Sequence, residues 1–476
     1  MKNYIKVLAL GAVMSFTACD GLLDTDPRQS LTPESGFADA SGYEALIFAA
    51  YGQPREFNLY GQQMMMAPEI MADNLRIIAN TGRYIGQEVN ADRAHMGIWN
   101  GAQWGAINET NILLAGIDEV EGDENLKTRL KGEAHFLRAL MYFDFARIYG
   151  YEPGQEVNGW NLTVPLRTTP TLGFSDADFR ERATNTELYA QIESDLQMAI
   201  SMLPTADAGS AGVYRASKGA AEALLARVFL YGGKNAEAAS MATQAMATFG
   251  LGDDGTGLVD AGSYVSGFST FPNPESLFEI EIRSVDWSTV DGVNNSMCTL
   301  MADAFASAQF IATASDELLD AYEEGDVRRD TWTETTRSGA DGVVYRSNKW
   351  LGAKGDFLEN LPIIRAPELY LIRAEARYKT GDEAGARADL TALRSKRGLG
   401  PAVGSGSALF DLIMNERRVE FAVEGHRWFD LKRNGMDITK HNNFETVPYT
   451  DYRILAPLPQ GELILNELLV DNPGYN

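Results

Sequence analysis

Four histidines, His95, His135, His426 and His441, are the residues most open to metal or acid–base chemistry, and no two stand at a spacing that places them on one ion. His135 lies inside an apolar helical pattern and reads as a satisfied core residue. No His-Glu-x-x-His, serine elbow or phosphate-cradling glycine loop occurs. With 66 acidic residues, pairs of carboxylates arise by chance, and no spacing selects the two that glycoside cleavage requires. Glu279 and Glu281 alternate opposite Phe278, Ile280 and Ile282 on a strand-like segment, so both read as solvated. Gly-Asp-Asp-Gly-Thr-Gly at 252–257 lacks the alternating ligands and closing glutamate of a calcium loop, which makes it a turn. No catalytic residue, cofactor or metal is assigned.

Binding without catalysis leaves a different trace. Exposed aromatic rings stack on the C–H faces of sugars, while amide and guanidinium groups bond the hydroxyls. Tyr84, beside Arg83, and Arg76 fall in a stretch at 75–98, and Trp99 with Asn100 comes at its end. Trp287 follows the strand-like segment 276–282. Trp287, Trp99, Tyr84, Asn100 and Arg76 are therefore the candidate ligand-binding residues. Trp104, Trp160 and Trp428 read as core anchors.

These residues need a scaffold, and the patterns supply helices. Glu133 to Tyr149 is apolar on nearly every side, as a helix buried between others must be. Thr186 to Leu203 starts among acids and ends at Pro204. Ser217 to Tyr231 stops at Gly232-Gly233 and is followed by an alanine-rich partner at 235–248. Pro367 to Lys379, a Gly-Asp turn and a second alanine-rich segment at 383–396 repeat that plan, which is the unit of tetratricopeptide-like arrays. Phe410 to Glu424 adds another helix. Glycine-, serine- and asparagine-rich stretches at 75–98, 205–214, 250–275, 283–300 and 331–348 read as long loops without structure of their own, the usual carriers of function. The expected fold is mainly α: a tetratricopeptide-like helix-pair scaffold overlaid by long irregular loops and a few short strands.

The N-terminus has its own logic. Lys2 and Lys6 precede an uncharged stretch from Val7 to Ala18, too short for a membrane span of about 20 residues. Ser15-Phe16-Thr17-Ala18 leads into Cys19, similar to the cleavage site of bacterial lipoproteins, with Phe16 where a smaller residue is usual. The implied organisation is a signal peptide at 1–18, a tether acylated on Cys19 at 19–40, and a single domain at 41–476. Cys298 is the other cysteine, so lipidation of Cys19 leaves no internal disulfide. The formal charge of −25 repels phosphate backbones and argues against nucleic acid, leaving neutral or cationic ligands open.

Several blocks carry a family resemblance. Cys19, Leu22-Leu23-Asp24 and Pro27 open the mature chain; KGEAHFLRALMYFDFARIYG spans 131–150, and Val164-Pro165-Leu166 follows. Asn185 to Pro204, SKGAAEALLARVFLY at 217–231, NERRVEFAVEGHRWFDLKR at 415–433 and the closing Asp471-Asn472-Pro473-Gly474-Tyr475 complete the set. In this order they resemble the SusD/RagB family of nutrient-binding outer-membrane lipoproteins. The resemblance implies a cell-surface protein, held in the outer membrane by its N-terminal lipid, that binds an oligo- or polysaccharide or another nutrient. It also implies a SusC-like TonB-dependent transporter as partner. The charges at 415–433 read as scaffold, pairing along one helix or holding carboxylates on a neighbouring segment. A helical-repeat adaptor for proteins and a surface glycoside hydrolase stay open as alternatives.

Overall fold

The computed structural model describes residues 37–475 apart from Phe174, Asn442 and Asn443. The expected signal peptide, Cys19 and most of the tether lie outside these residues. Helices α1 (Ala40–Gly52), α2 (Gln63–Met71), α3 (Gly101–Gly116), α4 (Glu124–Tyr149), α5 (Asn185–Met202), α6 (Lys218–Tyr231) and α7 (Asn235–Thr248) occupy the first half. They are followed by α8 (Thr289–Asn295), α9 (Ala366–Lys379), α10 (Glu383–Ser395), α11 (Ser407–Glu420), α12 (Arg427–Lys432) and α13 (Gln460–Leu465).

Local chemistry sets these boundaries. Thr184 and Glu187 cap the start of α5 reciprocally, satisfying two otherwise orphaned N–H groups. Pro367 sits in the first turn of α9, where its missing N–H costs nothing. On α4, Phe136, Leu137, Leu140, Met141, Phe143 and Phe145 are all fully buried. Gly132 explains how closely its neighbour approaches: a Cβ there would lie 2.9 Å from Leu203 Cγ. Helices α3, α4, α5, α6, α7, α9 and α10 pack in that order, each against the next. The pairs α6–α7 and α9–α10 are thus consecutive in one array, with Ala238, Ala242 and Ala245 buried on α7.

Six short strands, among the described residues, form three two-stranded antiparallel sheets. They are β1 (Leu75–Ile77) with β3 (Ala312–Ala314), β2 (Ser276–Ile280) with β6 (Leu361–Arg365), and β4 (Trp332–Thr335) with β5 (Val344–Ser347). The stretches 75–98, 283–300 and 331–348 are therefore not structureless: they hold β1, α8 and the whole β4–β5 hairpin. Glu279 also corrects its expected solvation. It is fully buried and accepts hydrogen bonds from Asn273 N (2.9 Å), Asn360 Nδ2 (2.8 Å) and Ser276 Oγ. Two register irregularities around Phe278 break the alternation, and all five residues of β2 are buried. Glu281, beyond the strand, is half-buried beside Lys354.

The charged block at 415–433 is scaffold, and its charges pair mainly across elements. Glu420 accepts from Arg365 (3.0 Å) and Arg397 (3.0 Å), while Arg365 also reaches Glu275 and Glu424. Arg328 joins Glu416 at 2.7 Å, and Arg433 joins Glu375 at 2.5 Å. Burial alone would raise the Glu420 carboxyl, but Arg397, Arg365 and Arg328 hold it well below the usual carboxylate range. Arg427 clasps Asp73 through two N–H groups at 2.7 and 2.8 Å. These bonds fasten the C-terminal block to β6, α9, the 326–328 segment and the residues just after α2.

Candidate functional site

The five candidate residues separate. Tyr84 has a left-handed backbone (φ 59°) that turns its ring inward; it is 6% exposed, and its hydroxyl donates to Gln63 Oε1. It therefore departs from the expected exposed loop ring. Asn100 caps α3, its Oδ1 accepting from Ala102 N and Gln103 N, so that acceptor is already engaged by the scaffold. Trp99 is half-buried, with ring centroids of Trp104, Phe145 and Tyr149 within 6 Å. Trp287 is half-buried against a different ring, Phe57, at 4.7 Å. Arg76 is half-buried on β1 and donates to Val343 O at 2.5 Å. No ring contact joins Trp99 to Trp287 among the described residues, so two aromatic clusters stand where one platform was conceivable.

The Trp99 cluster lines a cavity of about 370 Å³. Trp104, read as a core anchor, is half-buried and lines it too, with Asn108, Arg167, Glu462 and Asn466 across the opening. Trp428 is fully buried, as expected, and Trp160 is half-buried with its Nε1 donating to Asn472.

The Trp287 cluster belongs to a face built from the irregular segments. Trp287 immediately precedes Ser288, whose hydroxyl caps α8. Near the other end of α8, Asn294 Oδ1 accepts from Gln309 Nε2 (2.7 Å) and Arg83 Nη2 (3.4 Å), and Arg83 Nη1 donates to Gln309 Oε1. Arg337 Nη2 donates to the Gln309 carbonyl at 3.2 Å. Beneath them Ile78, Phe310 and Val344 form a small apolar cluster separate from the main core. Short strands and this satellite core hold a set of half-buried amides and guanidinium groups in place. Arg83 was noted only as the neighbour of Tyr84, and Asn294, Gln309, Arg337 and Phe57 were not singled out from sequence, because partners lie up to 226 positions away. The available signal was Arg83, in a stretch read as loop and without an acid at helical spacing.

Among the described residues no three His, Cys, Asp or Glu side chains gather as a metal site. The histidines have separate neighbours: Asp195 for His135, Trp428 for His95, Phe421 for His426 and Glu88 for His441. No helix of the described residues is long and apolar enough to cross a membrane.

Comparison with known proteins decides the family. Residues 49–230 match the family model described as "Starch-binding associating with outer membrane", and residues 345–475 match that of the SusD family. The chain belongs to the SusD/RagB family. It is 26% identical to the SusD-like protein P2 of Formosa agariphila over the full length of both chains. A SusD-like protein of Bacteroides ovatus is 23% identical, with 90% of this chain and 82% of that one covered. Among solved structures, a putative sugar binding protein from Bacteroides vulgatus superposes with a TM-score of 0.79 at 25% identity, covering 93% of this chain and all of the other. A laminarin binding SusD-like protein gives 0.72 at 25% identity, covering 92% and 100%. The helix-rich SusD-like fold is thus the fold of this chain. Its family is associated with the outer membrane. Residues 231–344, between the two family matches, contain Trp287, Asn294, Gln309 and Arg337.

Proposed function

We propose that this SusD-family protein is a non-catalytic, lipid-anchored glycan receptor of the outer cell surface that hands its ligand to a SusC-like TonB-dependent transporter. The observation that carries the reading is the face at Trp287. Short helix α8 links an aromatic pair before its start to the Arg83–Asn294–Gln309 cluster at its end, and rings with amide and guanidinium donors are the groups that stack on a sugar ring and bond its hydroxyls. Arg76 joins this face, whereas Trp99 belongs to the separate cavity and Tyr84 and Asn100 to the scaffold. The carbohydrate-binding names of structural neighbours support the ligand class. The three-part leader ending at Cys19 supports the anchor.

Isothermal titration of the purified chain against a polysaccharide panel tests the reading. Binding without release of shorter products is expected, and Trp287→Ala should weaken it. Product release would favour a hydrolase instead. For the anchor, Cys19→Ala should abolish incorporation of an alkyne fatty acid, and labelling equal to the parent would exclude acylation there. Co-purification with a TonB-dependent barrel from the native membrane tests the partner.

A further inference from the structure

Arginine in this protein is mostly matched to acids, as a formal charge of −25 makes easy. The β4–β5 hairpin and the segments it touches are an exception. Arg76, Arg83 and Arg337 form no ion pair within 4 Å among the described residues, and all three are half-buried. Each guanidinium carries five N–H donors. Arg76 uses one, on Val343 O; Arg83 uses two, on Gln309 and Asn294; Arg337 uses two, on the carbonyls of Ser338 and Gln309. Most of their donors therefore remain free. Val343 and Arg337 lie in the turn between β4 and β5, which brings Arg76 to the same hairpin as Arg337.

Arg167, on the Trp99 cavity, and Arg329 are likewise half-buried without an ion pair among the described residues and donate to the carbonyls of Asp178 and Trp332, whereas Arg182 differs. Arg182 is buried and donates to the carbonyls of Thr163, Tyr149, Leu162 and Val470, and to Asn472. The acids nearest the hairpin, Asp303, Glu334 and Asp341, are exposed, and Asp303 is tied to Arg346 and Thr335. Among the described residues no carboxylate pairs directly with these three cations, although Glu88, which accepts from Ile77 N, lies near enough to Arg76 to feel its charge.

We infer that the glycan bound at this face is anionic, bearing carboxylate or sulfate ester groups that Arg76, Arg83 and Arg337 receive. This deepens the receptor reading and rests on it. A guanidinium offers two parallel N–H bonds to such an oxyanion. Gln309 and Asn294, bridging Arg83 and Arg337, fix the spread of the cations before ligand arrives. The acidic remainder of the surface repels polyanions, which favours a patch of unpaired cations as the place to receive them.

The test titrates the purified chain with polygalacturonate, a sulfated galactan and neutral laminarin, together with methyl-esterified polygalacturonate and desulfated galactan. One anionic polymer should bind, and which one separates uronate from sulfate ester. Its neutralised form should bind about tenfold or more weakly, the scale of one lost charge-assisted bond. Affinity should fall between about 0.1 and 0.5 M salt as local pairs are screened. Arg83→Gln with Arg337→Gln should lose at least about tenfold for the anionic polymer, with Arg83→Lys closer to the parent. Neutralising the ligand tests the inference without touching the fold, so an early-melting variant does not decide it. Laminarin or a neutralised polymer bound as tightly as the anionic one would overturn this inference and leave the receptor reading standing. Binding to no polysaccharide would overturn both.

Discussion

Arg365 and Arg397 lie fully buried between Glu275, Glu420 and Glu424, whereas Arg76, Arg83 and Arg337 stand half-exposed with only carbonyl and amide oxygens as partners. The contrast is one of solvation. A guanidinium removed from water must be matched by charge and hydrogen bonds, because an uncompensated buried ion costs several kcal/mol. A half-exposed one can leave donors to water and exchange them for a ligand. The first region fixes the fold and has nothing left to bind with. The second is held by short strands and keeps its donors available.

Removing an acid from the buried region should have the largest effect. Glu420→Ala would leave Arg328, Arg365 and Arg397 underpaired in the interior and should cost about 3–5 kcal/mol. The urea midpoint should fall accordingly, while protein still folded keeps its glycan affinity. An unchanged midpoint would break the contrast.

Acid should act on the same region. Glu420 and Glu375 would be raised by burial, but the arginines around each hold them below their ordinary range. Such carboxylates contribute stability fully above the unfolded value of about 4.3, and lose it as pH falls through the folded one. Glu359 runs the other way: burial raises it to about 8, so its contribution declines as pH climbs from about 4 to about 8. Thermal midpoints should therefore collapse below about pH 4 and show a shallow decline toward pH 8. A smaller cost, about 1.5–3 kcal/mol, is expected for Arg427→Ala, which removes the two-pronged grip on Asp73. Ligand affinity lost there at an unchanged midpoint would move the binding site into the C-terminal block.

What the sequence disclosed follows the range of its signals. Helix α7 begins and ends where the pattern at 235–248 placed it, because periodicity and glycine stops act within a few residues. The pairing of Leu75 with Ala314 has no such local trace, and three residues of strand are too few to show alternation. The stretch at 75–98 therefore read as bare loop. Its site residues inherited that error: Tyr84 is turned inward by one left-handed backbone angle, and its neighbour Arg83 finds partners 211 and 226 positions away. The block at 415–433 was legible as scaffold, yet its partners on β6 and the 326–328 segment were not, since charge patterning along one helix cannot name a partner on another.

The two tryptophan clusters sharpen the contrast at smaller scale. Trp287 meets one ring, so Trp287→Ala should lose about 0.5–1.5 kcal/mol of stability, the worth of an aromatic pair. Trp99 packs among three rings, and Trp99→Ala should cost about 2–3 kcal/mol, less than a fully buried tryptophan. Affinity should follow the opposite order. The ring that stabilises less precedes α8, whose far end meets Arg83 through Asn294, so Trp287→Ala should weaken glycan binding about tenfold. Trp99→Ala, read on folded protein, should leave binding near the parent value. Titrating both variants alongside their melting curves separates the cases, because stability and affinity then move in opposite directions between the two residues. Affinity lost in Trp99→Ala and kept in Trp287→Ala would transfer recognition to the cavity of about 370 Å³ between Trp104, Arg167 and α13. The three arginines would then be left without a ligand to explain them.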